Sequence, residues 1–129
     1  MTLFKRSRSM ENDWKTLSSE DQIDQIISDS NNRPQVIYKH STRCAVSAQA
    51  YRRLKIIDSE VIQAADIYYL DVIASRPVSN AVADRFRIRH ESPQLLLIRN
   101  GRVVWEESHY GIQGEAVLEA IEMQTRQSQ

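Results

Sequence analysis

Val36-Ile37-Tyr38-Lys39-His40-Ser41-Thr42-Arg43-Cys44-Ala45-Val46-Ser47 carries the change of period on which the reading of this chain turns. Its first three residues form a compact β-branched and aromatic run, the signature of a buried strand. After Cys44 the period lengthens: Val46, Ala50, Leu54 and Ile57 recur at intervals of four and three, which places them on one face of a helix. A polar segment, Lys39 to Arg43, joins the two. Cys44 therefore stands at a strand-to-helix turn.

Working outward, Trp14 to Leu17 reads as a short edge strand, and Ser19 with Gln22 offers a capping box for a helix carrying Ile23, Ile26 and Ile27. Asn31, Asn32 and Pro34 stop that helix. Beyond the quoted stretch, Ile67 to Val72 is a further strand, and Val78, Val82 and Phe86 mark another helix. Leu95–Ile98 and Val103–Trp105 flank Asn100-Gly101, the pair best suited to a two-residue hairpin turn, because both positions need positive φ. Val117, Leu118 and Ile121 belong to a last amphipathic helix. Early alternation of strand and helix implies a parallel unit, and the late hairpin implies an antiparallel end. The expected architecture is α/β: a central mixed sheet of four to five strands flanked by helices on both faces, in thioredoxin-like order. One domain over residues 13–124 is expected, with 1–12 flexible and the chain fraying from Thr125.

The chain has 129 residues, enough for one core, and its 41% hydrophobic and 26% charged fractions are those of an ordinary globular protein. Seventeen basic residues balance seventeen acidic ones, which gives no electrostatic reason to expect nucleic acid or an anionic membrane as partner. The basic stretch from Met1 to Arg8 leads into no apolar run, so neither a signal peptide nor a bilayer span is expected, and the expected location is the cytoplasm. With a single cysteine the chain has no internal disulfide and no cysteine-rich zinc site. Any covalent chemistry at Cys44 must involve a thiol from another molecule.

At a helix N-terminus the free backbone amides and the positive end of the helix dipole favour thiolate over thiol. Ser47, one turn along, can donate to the Cys44 sulfur, while Lys39, His40 and Arg43 bring positive charge to the neighbourhood. Because serine cannot resolve a mixed disulfide, the Cys44-Ala45-Val46-Ser47 arrangement is a monothiol site. Pro93, after Ser92, opens the Leu95–Ile98 strand; in this architecture the proline beside the reactive cysteine is cis, leaving the preceding backbone free to hold an extended substrate.

Other chemistries fit less well. A phosphatase loop needs arginine six positions after its cysteine, where this chain has Ala50. His40, His90 and His109 lack metal-ligand spacing, and Gly111 with Gly114 is too little for a phosphate loop. Arg85, Arg87 and Arg89 with His90 read as a solvated rim that could also serve an anionic thiol cofactor.

The stretch Lys39-His40-Ser41-Thr42-Arg43-Cys44-Ala45-Val46-Ser47 resembles the signature of YtxJ-type monothiol bacilliredoxins, typically Lys-His-Ser-Thr-x-Cys-Pro-Ile-Ser. The resemblance extends from Trp14 to Ile121 and takes in His90-Glu91-Ser92-Pro93-Gln94. It implies a thioredoxin-like oxidoreductase that reduces mixed disulfides between proteins and a low-molecular-weight thiol. Cys44 would be the nucleophile, with Ser47, Arg43 and His40 stabilising its thiolate and Thr42, Ser92 and Pro93 meeting the substrate. No metal and no permanently bound cofactor are implied; bacillithiol or a similar thiol is the co-substrate, S-thiolated proteins are the partners, and the chain is a monomer or weak dimer. Ala45 stands where proline is usual and Val46 where isoleucine is usual, which should alter the helix start and the reduction potential. Bacillithiol, glutathione, coenzyme A or a protein thiol remain open as the partner thiol. A reading from another class is a catalytically silent adaptor that holds a partner protein in the same groove.

Overall fold

The computed structural model describes residues 14–127; the expected flexible segment 1–12 lies outside them. In chain order the elements are β1 (Trp14–Thr16), α1 (Asp21–Asp29), β2 (Gln35–His40), α2 (Ala45–Ile56), α3 (Asp58–Ala64), β3 (Asp66–Asp71), α4 (Arg76–Phe86), β4 (Gln94–Arg99), β5 (Arg102–Ser108), a 3-10 turn (His109–Gly111) and α5 (Gly114–Gln127). They build one five-stranded mixed sheet in the order β1-β3-β2-β4-β5. Strand β2 runs parallel to β3 and antiparallel to β4, so it is the central strand and pairs along both edges.

Alternation along β2 assigns its side chains to two cores. Val36 and Tyr38 join Ala50, Leu54, Val61, Val117 and Ile121 on the side of α2, α3 and α5. Ile37 joins Ile23, Ile26, Val78 and Val82 on the side of α1 and α4. Helices therefore cover both faces, and all of β2 from Gln35 to His40 is buried, polar residues included. The register that sets Gln94 of β4 opposite Lys39 of β2 brings the loop before β4 to the end of the sheet where β2 enters the Cys44 turn.

Asn100 (φ 54°) and Gly101 (φ 79°) make the expected hairpin turn. Past it, a bulge shifts the pairing so that Leu97 faces Trp105 and Ile98 faces Val103. Three local expectations need correcting. At the start of α1, Gln22 does reach back, its Oε1 accepting from the Ser18 and Ser19 amides at 2.7 and 3.0 Å, but the Ser19 hydroxyl donates to that same oxygen and caps no amide. Helix α3 is not foreshadowed in the sequence, because Val61 is its one buried residue and supplies no period. Helix α5 continues to Gln127, beyond the Thr125 where fraying is expected. No described helix is long and apolar enough to cross a membrane.

Since Ile37 is fully buried at the centre of β2, Ile37→Ala should cost about 2–5 kcal/mol. Urea unfolding should show that loss as a lower midpoint at an unchanged slope.

Candidate thiol site

Backbone geometry places the sulfur. Ser41 to Cys44 form a turn in which the Cys44 N–H donates to the Ser41 carbonyl at 3.2 Å. Cys44 is the N-cap of α2, in extended conformation (φ −120°, ψ 123°), and its carbonyl accepts the first helical bond, from Ala48, at 3.1 Å. The helix begins at Ala45 without the proline usual there. A neutral thiol is a weak acceptor, and Cys44 makes no conventional side-chain cap. The thiolate is a better one. The Ser47 backbone N–H is the chief influence drawing the Cys44 pKa below the ordinary thiol value; desolvation comes next and opposes it, while the Ser47 hydroxyl and the Val46 N–H also pull downward.

The Ser47 hydroxyl is committed to this role from behind. Its side chain is fully buried, and its Oγ accepts from the Ser41 N–H at 3.2 Å, leaving the hydroxyl proton for the sulfur. Ser47, not Val46, starts the inward stripe of α2; Val46 is only half-buried.

Beneath the helix lies an aromatic tier. Tyr38, Tyr51, Tyr69 and His40 have ring centroids 5.3 to 6.4 Å apart, and Trp14 stands edge-on to Tyr51 at 5.5 Å. The Tyr38 hydroxyl donates to the Ser47 carbonyl at 2.9 Å. With that proton spent, the 3.1 Å contact between the Tyr38 oxygen and His40 Nδ1 requires the histidine to carry its proton on Nδ1. Burial, opposed by Asp71, draws the His40 pKa below its ordinary value, so the ring is neutral at pH 7. This corrects one expectation: His40 adds no positive charge beside the sulfur but supports the helix through Tyr38. Arg43 is exposed, and the groups that lower the Cys44 pKa are the Ser47 and Val46 donors. Thr42 is exposed in the same turn.

The Ser92–Pro93 peptide is cis. Pro93 is buried and its carbonyl accepts from the His109 N–H at 3.0 Å, which ties the prolyl turn to the 3-10 turn after β5. The Ser92 hydroxyl is buried without a partner. Sheet register thus gathers the Cys44 turn and the Ser92–Pro93 turn at one end. Arg85 and Arg87 are elsewhere, while Arg89 stays beside the prolyl turn, its carbonyl accepting from Gln94 Nε2 at 3.0 Å. Arg85 pairs with Asp24 at 2.8 Å, and Arg85, Arg87 and Arg102 line a cleft of about 410 Å³ that includes Gly101, at the hairpin end of β4. No group of three metal-ligating side chains converges among the described residues.

Lys39 is the feature that sequence reasoning undervalued. Its side chain is fully buried; Nζ donates to His90 Nδ1 at 2.6 Å and to Gln94 Oε1 at 3.0 Å. Burial lowers its pKa to about 8, against the opposing pull of Glu91 and Glu106. The available signal was its place two residues after Ile37, on the same face of the strand.

Comparison with known proteins agrees with this geometry. The family model described as monothiol bacilliredoxin BrxC matches residues 15–117. A solved structure described as a candidate oxidoreductase with a thioredoxin fold is similar over 87% of this chain and 96% of its own, at 32% identity and a TM-score of 0.73. Thioredoxin from Fasciola hepatica (14% identity, 85% of this chain and 98% of its own, TM-score 0.68) shares the fold. So does that of Malassezia sympodialis (20% identity, 87% and 90%, TM-score 0.67).

Two measurements follow from the titrating groups. The pH midpoint of Cys44 alkylation should fall below the ordinary value of about 8.5. Ser47→Ala should raise that midpoint partway, because the backbone donors remain; an unmoved midpoint would remove the hydroxyl from this account. The second concerns stability. Lys39 binds its proton less tightly in the folded protein, at about 8 against 10.5, and Cys44 is shifted downward as well. The folded state therefore holds fewer protons than the unfolded chain above pH 8, and stability rises with pH there. Above about pH 10 the slope should reverse, because burial holds Tyr38, Tyr68 and Tyr69 protonated. Urea midpoints measured from pH 7 to 11 check both signs.

Proposed function

Because the chain belongs to the monothiol bacilliredoxin family, whose model matches residues 15–117, we propose that it reduces mixed disulfides between proteins and a low-molecular-weight thiol, with Cys44 as the nucleophile. Family and fold make it a thiol oxidoreductase in general terms. The observation that carries the finer reading is the cap position of Cys44, where amide donors and the Ser47 hydroxyl lower the thiol pKa.

In the first step the Cys44 thiolate attacks the small-thiol sulfur of the mixed disulfide. A disulfide forms between Cys44 and the small thiol, the old S–S bond breaks, and the protein thiolate leaves and takes a proton from water. Its leaving ability rises as its own pKa falls. In the second step a free thiol attacks the small-thiol sulfur and returns Cys44 as thiolate. Ser47 cannot perform that second attack, so the resolving thiol comes from outside. Ser92 and Pro93 form the ledge that holds the modified segment of the substrate by its backbone, and Thr42 borders the entry from the other turn. Bacillithiol is the favoured small thiol, and a reducing compartment such as the cytoplasm is where the second step is sustained. The chain acts as a monomer or weak dimer.

The test is reduction of a bacillithiol-modified test protein, with a glutathione-modified one alongside. Wild type should release the protein thiol and carry a small-thiol adduct on Cys44, read by mass spectrometry. Cys44→Ser should fold and release nothing, since serine is nearly isosteric but a poor nucleophile at neutral pH. Retained activity in that variant would end the proposal, and preference between the two substrates would identify the thiol.

A further inference from the structure

Lys39 is the residue whose placement is hardest to justify on stability alone. An ammonium withdrawn from water costs several kcal/mol on the order set by desolvation, unless its hydrogen bonds are replaced. Its partners here are neutral: His90 Nδ1 at 2.6 Å and Gln94 Oε1 at 3.0 Å. Glu91 and Glu106 act on it only through space. A methionine would fill the same strand position without that cost.

What the ammonium touches is confined to one segment. Gln94 Oε1 also accepts from the Glu91 N–H at 3.3 Å, while its Nε2 donates to the Arg89 carbonyl at 3.0 Å and to Glu106 Oε1 at 3.2 Å. His90 and Gln94 thus bracket Ser92 and Pro93, and each is bonded to the same Nζ. On its other side Lys39 belongs to β2, the strand that leads into the Cys44 turn. The cation is a single point joining the two turns of the site from below.

We propose that Lys39 is a positioning residue for thiol transfer: its buried ammonium fastens the 89–94 segment to β2 and so sets where the Ser92–Pro93 ledge stands relative to Cys44. This rests on the reading of that ledge as the substrate support. Lys39 touches neither substrate nor sulfur in this account and acts through His90 and Gln94.

The test compares wild type with Lys39→Met by hydrogen exchange at the amides of residues 89–92 and by the kinetics of reducing the bacillithiol-modified protein. Exchange across 89–92 should quicken by about tenfold, the equivalent of one hydrogen-bonded contact. KM should rise by about tenfold while kcat stays within about twofold, because ledge placement governs binding and not the chemical step. The alkylation midpoint of Cys44 should not move. Wild-type exchange and KM in a folded variant would overturn the proposal, and so would a fall in kcat at unchanged KM. If wild type itself reduces no mixed disulfide, the functional reading fails, yet exchange still decides whether Lys39 holds the segment. Should Lys39→Met fail to fold, His90→Ala takes its place, since it removes one acceptor from a largely exposed side chain. Faster exchange across 89–92 then supports the proposal, and unchanged exchange overturns it.

Discussion

Burial of β2 on both faces and along both edges constrains everything else in this molecule. A strand so enclosed must have its backbone fully paired, which the parallel ladder to β3 and the antiparallel ladder to β4 provide. It must also satisfy whatever polar side chains it carries. At the end of β2, Lys39 points to one face and His40 to the other, and each is answered by a separate network: His90 and Gln94 below, Tyr38 and the Ser47 carbonyl above. The two turns that make up the site are where those networks end. Stability of the core and placement of the chemistry are thus two results of the same strand.

The electrostatics of Cys44 differ from those of a thiol activated by a neighbouring cation. The donors that favour its thiolate are backbone amides and one hydroxyl, none of which carries a net charge. Dipoles at contact distance are little screened by salt, whereas a charge several ångströms away across solvent is screened over about 10 Å at 0.1 M ionic strength. The titration of a sulfur held this way should depend little on ionic strength.

Much of this was legible in the chain. The Val36-Ile37-Tyr38 run, the helical stripe of Ala50 and Leu54, and the Asn100-Gly101 turn each combine pattern and propensity in agreement, and each lies where expected. Cys44 and Ser47 were legible because cap chemistry is local in sequence. What stayed hidden depends on contacts distant in sequence. That His40 is neutral follows from its burial against Tyr38 and Tyr69, which outweighs the opposing pull of Asp71, and the role of Lys39 follows from partners fifty or more positions away. Helix α3 went unseen for the opposite reason, because one buried valine cannot announce a period.

The Asn100-Gly101 turn has a consequence for the chemical durability of the protein. Asparagine followed by glycine is the dipeptide most prone to deamidation, since the glycine nitrogen can close a ring onto the asparagine side chain. Here the Gly101 N–H donates to the Ser30 hydroxyl at 2.8 Å, and the Asn100 N–H donates to the Ser30 carbonyl at 2.9 Å. Held in that bond, with φ fixed at 79°, the Gly101 nitrogen is turned to Ser30 and is not free to attack. The Ser30 contacts should therefore slow ageing of the hairpin, so that the folded protein keeps a neutral asparagine longer than an unfolded chain would.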